Sequence, residues 1–544
     1  MTDDPTDQED PSAEKHRTAN FIFPTSRQDE EPDFTARKTP PKLKEAKRVG
    51  WKLRLLLVVL VVISFFPIFG NQTLWSDYDS VVRSPYKAME SWTEILSLSS
   101  LRHEDSLTLA SYYLETLIPG PPAIVHRVIN LILHLIAAFL FLRLLEFFRF
   151  SGAYASTLLF SLHPVVMQSL FWPGYRGQII TLILLLCALY YGIRNKDTAD
   201  YTKCIVFTAL TSLTQVVGIA VPFIVSLAIV YRTKGIHLNA FNRALPLLCI
   251  ATFLVLWTQT GTSLPTEESG TDTLKALNDA GESMFFFITQ AFVPFELSLF
   301  YPFSDEDRYL AGAELSLLPF FLFIPFYILI AINLRKRWSK AILLGLTAYL
   351  LLTIPGTYPI GAMIDGSRAL EDHGNYIGLP FLLALVGIGF VGAMRKLGST
   401  SELLARVGLG FVVFIQILLT ASFSYTVGDP KRLWGYLSTQ WPDSAPVQLA
   451  YLDAVSTKDG YTVDDVTLIR LLRAVVDEQP DRIEQQIELA RAYARIDQFE
   501  NASRIYRRLV GKPNPSNDLL EEAATFFDKL GFDWEARAAR QRIQ

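Results

Sequence analysis

Long runs of apolar residues constrain this chain before any other feature does. Residues 53–69, 123–148, 153–171, 179–193, 315–334, 341–360, 377–394 and 404–425 are strongly apolar, and several runs reach the ~20 residues a helix needs to cross ~30 Å of hydrocarbon. In lipid every backbone N–H and C=O must be satisfied within the protein, which a helix does by itself. The reading is therefore an all-α protein, a polytopic bundle of membrane helices. Composition agrees: of 544 residues, 50% are hydrophobic and 19% charged, below the ~25% charged usual in soluble domains.

The remaining composition narrows the classes. Net charge is -4, but the signs are segregated by position, so the sum says little about partners. No basic patch or fold motif speaks for nucleic acid. Cys187, Cys204 and Cys249 lie in or beside apolar runs; this excludes a disulfide framework and a metal-ligand spacing and predicts plain buried thiols. There is no Walker loop, dinucleotide fingerprint or zinc motif. No cofactor is called for by motif, and a divalent cation is the one candidate.

Residues 1–50 form a polar tail too poor in apolar groups to bury a core, expected to be disordered. Lys42, Lys44, Lys47, Arg48, Lys52 and Arg54 precede the first span and hold that end in the cytoplasm. Basic residues at later span ends, such as Arg194, Lys196, Arg335, Lys336 and Arg337, predict alternation over about eleven spans within a membrane domain at 51–428. Residues 284–300, interrupted by Pro294 and Glu296, are expected to be interfacial or re-entrant, and a shorter pair of helices to break near Gly218 and Pro222.

Between spans one and two lies a polar stretch, 71–121, far longer than most connections. It carries Asp77 and Asp79 near its start and Arg102, His103, Glu104 and Asp105 toward its end. Met89, Trp92, Ile95 and Leu96 recur at helical spacing within 86–98, predicting an amphipathic helix at the interface. A working loop and a solvated loop with scattered charge are both open at this point.

The segment 429–544 is soluble in composition and repeats with a period of about 34 residues. Leu489-Ala490 with Tyr493 is matched by Ala523-Ala524 with Phe527, and Ala502 by Ala536. Small residues where helices cross and an aromatic filling the gap predict a tetratricopeptide-type helical array, outside the cytoplasm, whose concave face takes protein segments.

Several segments carry a resemblance. Leu107-Thr-Leu-Ala-Ser-Tyr-Tyr-Leu-Glu115, His126-Arg-Val-Ile-Asn130-Leu-Ile-Leu-His134, Leu159-Phe-Ser-Leu-His163-Pro164, Gly174-Tyr-Arg176, Pro294 to Pro302 and Glu371 to Pro380 together resemble the transmembrane and tetratricopeptide repeat-containing O-mannosyltransferase-like proteins over roughly residues 53–544. The resemblance implies a GT-C glycosyltransferase fold. It implies a sugar moved from a polyprenyl-phosphate carrier to a protein hydroxyl or glycan acceptor at the extracytoplasmic face of the membrane. By distance to Ser84-Pro85, Asp77 falls nearest the family's acidic position and Asp79 second, as general base toward the acceptor hydroxyl. Arg176, Arg102 and Arg368 are the candidates for the donor phosphate, because the guanidinium fork suits phosphate oxygens. Each could instead snorkel or pair with a loop carboxylate. His163, His126 and Glu104 are the candidates for lining the site, with His163 equally read as a satisfied polar core group.

The chain departs from that pattern at Gln168, at Gln178 and at Thr214-Gln215, where the family carries charge. These departures keep a second function open: a catalytically inactive GT-C-like scaffold whose repeats recruit partners. A transporter fits less well, since transporters place their charges in broken helices near the midplane. The absence of cysteine from the outer loops points to a bacterial inner membrane.

Overall fold

The computed structural model describes residues 48–70, 106–232, 238–259, 273–295, 297–298, 301–302, 318–354, 360–361, 368–370, 372–394, 399–457 and 460–543, all within one unit, Ala46–Gln544. Asp77, Asp79, Arg102 and Glu104, the helix expected over 86–98 and residues 1–47 lie outside the described residues. The described part is almost wholly helical.

The membrane part begins with α1 (Trp51–Phe65), continued by a 3-10 turn over Phe66–Gly70, then α2 (Ser106–Thr116), α3 (Pro122–Phe147), α4 (Ala153–Ser161), α5 (Met167–Phe171) and α6 (Arg176–Arg194). It proceeds through α7 (Thr198–Thr214), α8 (Val221–Arg232), α9 (Leu238–Gln259), α10 (Thr273–Phe292), α11 (Leu318–Ile332), α12 (Arg337–Thr353), α13 (Leu379–Met394) and α14 (Ser399–Val427). Among the described residues four stretches are long and apolar enough to cross a membrane: Trp51–Gly70, Pro122–Phe147, Arg176–Arg194 and Arg406–Val427. Four further apolar helices are shorter, at 10–17 residues. This is a membrane protein, and its exposed surface reads accordingly. α1 presents Leu53, Leu55, Leu56, Val59 and Ile63 outward, and α14 presents Leu404, Val407, Phe411 and Phe414. Apolar faces that large are a liability in water and the solvated face in lipid. Cys249 is exposed rather than buried, a correction explained by its place on α9, whose Leu245, Phe253 and Leu256 are also exposed.

Two local breaks interrupt the helices. The run 153–171, expected as one span, is a helix of nine residues, a turn and a second short helix. Pro164 supplies no N–H and pushes the preceding residue out of the helical region; His163 is accordingly extended (φ −70°, ψ 129°), and its Nδ1 accepts from Val165 N at 3.3 Å. The second break has no proline at it and falls at Gln215, whose backbone is extended. α7 ends at Thr214, and a 3-10 turn over Val216–Ala220 leads into α8.

At one end of the bundle Glu146 pins α1 to α3. Its carboxylate accepts from Arg54 Nη2 at 3.0 and 3.1 Å and from Val49 N at 2.7 Å. Arg194 and Asp200 close the turn from α6 to α7, with Arg194 Nε donating to Asp200 Oδ2 at 2.8 Å and Asn195 in the left-handed region. At the other end, three short strands pair antiparallel in the order β1–β3–β2: β1 (Tyr301–Pro302), β2 (Ile360–Gly361) and β3 (Arg368–Leu370).

The C-terminal part consists of α15 (Pro430–Gln440), α16 (Ala445–Val455), a hairpin of β4 (Ser456–Thr457) and β5 (Gly460–Tyr461), α17 (Asp465–Glu478), α18 (Ile483–Arg495), α19 (Phe499–Val510), α20 (Asn517–Lys529) and α21 (Asp533–Arg540). α18 and α20 start 34 residues apart (Ile483, Asn517), as do α19 and α21 (Phe499, Asp533). Leu489, Ala490 and Tyr493 are buried in one pair, with Ala523, Ala524 and Phe527 at the same positions of the next. α15 roots this array on the membrane part. Leu433, Trp434 and Leu437 join its core, Tyr436 OH donates to Leu297 O at 2.8 Å, and Trp441 packs on Phe286, Phe287 and Tyr301.

α4 and α13 cross at glycines. A Cβ on Gly152 would lie 2.4 Å from Gly387 O, and one on Gly387 would lie 2.4 Å from Ser156 Oγ and 2.8 Å from Ser156 N. Small residues of this kind let helix backbones approach. Gly387→Val and Gly152→Val are each expected to cost about 1–3 kcal/mol, read as a lower thermal midpoint of the detergent-solubilised protein. Gly389→Ala, where an added Cβ meets nothing within 4 Å, is expected to leave the midpoint unchanged or raised.

Candidate functional site

α3 is apolar except along one stripe. His126, Asn130 and His134 recur every four residues and so share a face, and all three are fully buried. Their partners come from the two segments that approach that face. Arg176 opens α6 and is fully buried. Its Nε donates to Asn130 Oδ1 at 2.7 Å, its Nη1 reaches Ser111 Oγ at 3.4 Å, its Nη2 donates to Glu115 Oε2, and the guanidinium lies 4.5 Å over the Tyr112 ring. Ser111, Tyr112 and Glu115 belong to α2, whose helical spacing sets them on one face.

Donor and acceptor roles follow from Asn130. Because Oδ1 accepts from Arg176, Nδ2 is the donor, and it reaches Leu170 O at 3.1 Å and His126 Nε2 at 3.0 Å. His126 Nε2 is therefore the acceptor and Nδ1 carries the proton, facing Glu115 Oε2 at 3.3 Å. Arg176 Nη2 lies 2.7 Å from the same Nδ1, both donors converging on one carboxylate oxygen. The result is a buried cation, its counterion and two neutral polar groups, each used. Beside it Arg127 Nη1 donates to Ile68 O at 2.9 Å, with its guanidinium 4.6 Å from the Phe171 ring.

Burial pushes the Glu115 carboxyl up, but the His126 hydrogen bond, the charge of Arg176 and the Arg176 hydrogen bond outweigh it, leaving Glu115 below its ordinary value of 4.5.

A second polar seam continues from this cluster. His134 Nε2 donates to Ser161 O at 3.1 Å and its Nδ1 accepts from Tyr376 OH at 2.8 Å. Tyr175, next to Arg176, stacks on His373 with ring centroids 3.7 Å apart and planes 9° from parallel. Gln168 Oε1 accepts from His373 N at 2.7 Å, and Tyr301 OH donates to Asp372 Oδ2 at 3.2 Å. His163 uses its second nitrogen, Nε2, on Ala291 O at 3.2 Å.

Of the residues singled out by sequence, Arg176 and His126 come together in one cluster. His163 stands in the adjoining seam with both ring nitrogens engaged. Arg368 lies in β3, opposite Gly361. Phosphate binding by Arg176 meets a guanidinium that is already buried and committed to Glu115. Glu115, Asn130 and Tyr112 are not among the candidates from sequence. The stripe on α3 is a readable signal for Asn130; Glu115 has none, because its partner lies 61 residues away. Among the described residues no group of three His, Cys, Asp or Glu side chains is placed to hold a metal ion, so the divalent cation has no donor set there.

No protein-family model matches the chain. Over 187 residues it is 24% identical to a Caenorhabditis elegans protein O-mannosyl-transferase, a match covering 31% of this chain and 27% of that protein. The chain therefore matches about a quarter of the length of this curated relative.

The cluster sets two expected outcomes. Removing one partner of a buried ion pair leaves the other uncompensated, so Arg176→Gln or Glu115→Gln is expected to destabilise the protein by about 3–5 kcal/mol, seen as a lower thermal midpoint. Arg176→Lys is expected to recover only part of the loss, since lysine lacks the fork that reaches Asn130 and Glu115 together. The second outcome concerns pH. With its folded value below 4.5, Glu115 contributes stability that is complete above its unfolded value and lost as pH falls through the folded one. Midpoints measured between neutral pH and pH 3 are expected to fall below about pH 4.5 in the wild type, with a shallower fall in Glu115→Gln.

Proposed function

We propose that this protein is a membrane glycosyltransferase that moves a sugar from a polyprenyl-phosphate donor to a hydroxyl of a protein acceptor outside the cytoplasm. One observation carries the reading. Glu115, His126 with Asn130, and Arg176 come from three separate segments of the resemblance, and they meet in one buried cluster. The remaining segments meet in the adjoining seam through His163, Tyr301, Asp372, His373 and Tyr376, the last bonded to His134. The similarity to a protein O-mannosyl-transferase supports the same reaction class.

In this reading the oxygen of the acceptor hydroxyl bonds to the anomeric carbon as the bond from that carbon to the phosphate oxygen breaks. The hydroxyl proton passes to a carboxylate, and the electron pair leaves with the lipid phosphate. Asp77 is the proposed base, with Asp79 second. A hydroxyl is a poor nucleophile until a base within hydrogen-bond reach takes its proton as the new bond forms. Arg102 and Arg368 are the proposed donors to the leaving phosphate, where developing charge needs stabilisation. Arg176 is a positioning residue. It locks α2, which follows the loop carrying Asp77 and Asp79 in sequence, onto α3 and α6. The 34-residue helix pairs are read as tetratricopeptide-type units. Rooted on the membrane part by Tyr436 and Trp441, they would present the acceptor or a partner protein.

One observation favours the inactive scaffold. Gln168 and Thr214 stand where the family carries charge, and both are engaged as neutral groups. Gln168 accepts from His373 N and Thr214 Oγ1 accepts from Thr181 Oγ1 at 2.9 Å.

The test is transfer by full-length protein in lipid nanodiscs, supplied with radiolabelled polyprenyl-phosphate mannose and a serine- and threonine-rich acceptor. Asp77→Asn is expected to lose about 10²–10⁴-fold in rate, the usual contribution of a positioned base, with the thermal midpoint unchanged. Full activity in both Asp77→Asn and Asp79→Asn would overturn the base assignment. No turnover of the donor by wild type would favour the scaffold.

A further inference from the structure

The bundle contains a large cavity far from the Arg176 cluster. It measures about 920 Å³ and lies among α3, α6, α8, α12 and α13. Arg176 opens α6, whereas Leu189 and Ile193 of the same helix line this cavity, so at 1.5 Å per residue the two lie roughly 20 Å apart along the helix. The cavity opens to the exterior where Arg149, Arg337, Trp338 and Gly389 are exposed, and its size falls within the ~300–1,000 Å³ range of ligand sites. Its walls are apolar: Phe141, Leu145, Ile224, Phe381 and Leu385 among others. Water would find few partners there.

The mouth differs from the walls. Exposed Arg149 and Arg337 stand on its rim, with Trp338 beside them. Arg337 Nε is anchored on Tyr231 OH at 3.1 Å, and the guanidinium lies 5.6 Å from that ring. Among the described residues the terminal nitrogens of Arg337 have no protein partner. Arg335, Lys336 and Lys340 add positive charge along the same stretch. Glu146, the carboxylate buried at this end of α3, is taken by Arg54 and Val49.

We propose that this cavity is a site for an anionic phospholipid, with an acyl chain in the apolar interior and the phosphate at Arg337 and Arg149. The charge at the rim decides between occupants. A neutral hydrocarbon would need no basic mouth, and a zwitterionic lipid would gain little from one. Anionic lipids concentrate in the cytoplasmic leaflet, and basic residues near the surface attract them; basic span ends face the same side. The fork of an anchored arginine suits a phosphate. Gly389 and Gly392 of α13 line the space, and an added Cβ at either meets nothing within 4 Å. Nothing at this end depends on sugar transfer at the other, so failure of one reading leaves the other standing.

The test uses delipidated full-length protein titrated with phosphatidylglycerol or phosphatidylcholine of the same chain length, with bound lipid counted by native mass spectrometry. Wild type is expected to retain one phosphatidylglycerol with at least about fivefold preference, the share of one basic residue near a membrane surface. The Gly389→Leu/Gly392→Leu variant fills the cavity and is expected to lose retention of both lipids. Arg337→Gln is expected to keep one lipid and lose the preference. Equal retention of the two lipids by wild type would overturn the proposal, as would undiminished retention in the double leucine variant. If that variant fails to fold, the wild-type preference and the Arg337→Gln comparison still decide.

Discussion

A guanidinium buried in a membrane protein is tolerated only where its charge is balanced and its donors are used. Arg176 meets both conditions through residues that lie far from it in sequence: Glu115 supplies the charge, and Asn130 and Ser111 supply acceptors. The cost of desolvating two charges is recovered only when geometry and remaining hydrogen bonds are good. That requirement ties α2, α3 and α6 to one arrangement. The neighbouring seam then inherits its position. Tyr175, adjacent to Arg176, stacks on His373, whose backbone N–H donates to Gln168. From there the chain of contacts runs through Asp372 and Tyr301 to Trp441 and the root of the helical array.

Much of the scaffold is legible in the sequence because hydrophobic runs are a strong signal. The spans at 53–69, 123–148 and 179–193 correspond to Trp51–Gly70, Pro122–Phe147 and Arg176–Arg194. The 34-residue spacing reappears as helix pairs. The run 153–171 misleads because hydropathy is blind to the backbone. Its apolar character persists through Leu162 to Val166, while Pro164 breaks the hydrogen-bond ladder within it. The segment 284–300, expected to be interrupted, is helical to Phe292 and leaves the helix before Pro294, where proline again decides.

The candidate site is legible in part. His126 and Arg176 stand out as polar residues beside apolar runs, and they do meet. Glu115 sits in a segment notable only for its resemblance, because ion pairing across 61 residues leaves no local trace. Seen without its neighbours, Arg176 reads as a ligand for phosphate, a role open to any arginine; only tertiary packing shows the guanidinium spent on a carboxylate. Basic residues at span ends read as topology signals alone. The same residues also rim a cavity that no sequence window can reveal, since its walls come from helices far apart in the chain.

Arg176 and Glu115 form one buried ion pair. The most direct measurement of that pairing is a double-mutant cycle on chemical unfolding in micelles, comparing Arg176→Gln, Glu115→Gln and the two combined. Partners in a buried pair are expected to couple by about 1–3 kcal/mol, so that the combined variant loses less than the sum of the two single losses by that amount. Losses that add to within about 0.5 kcal/mol would show two independent residues and contradict the pairing.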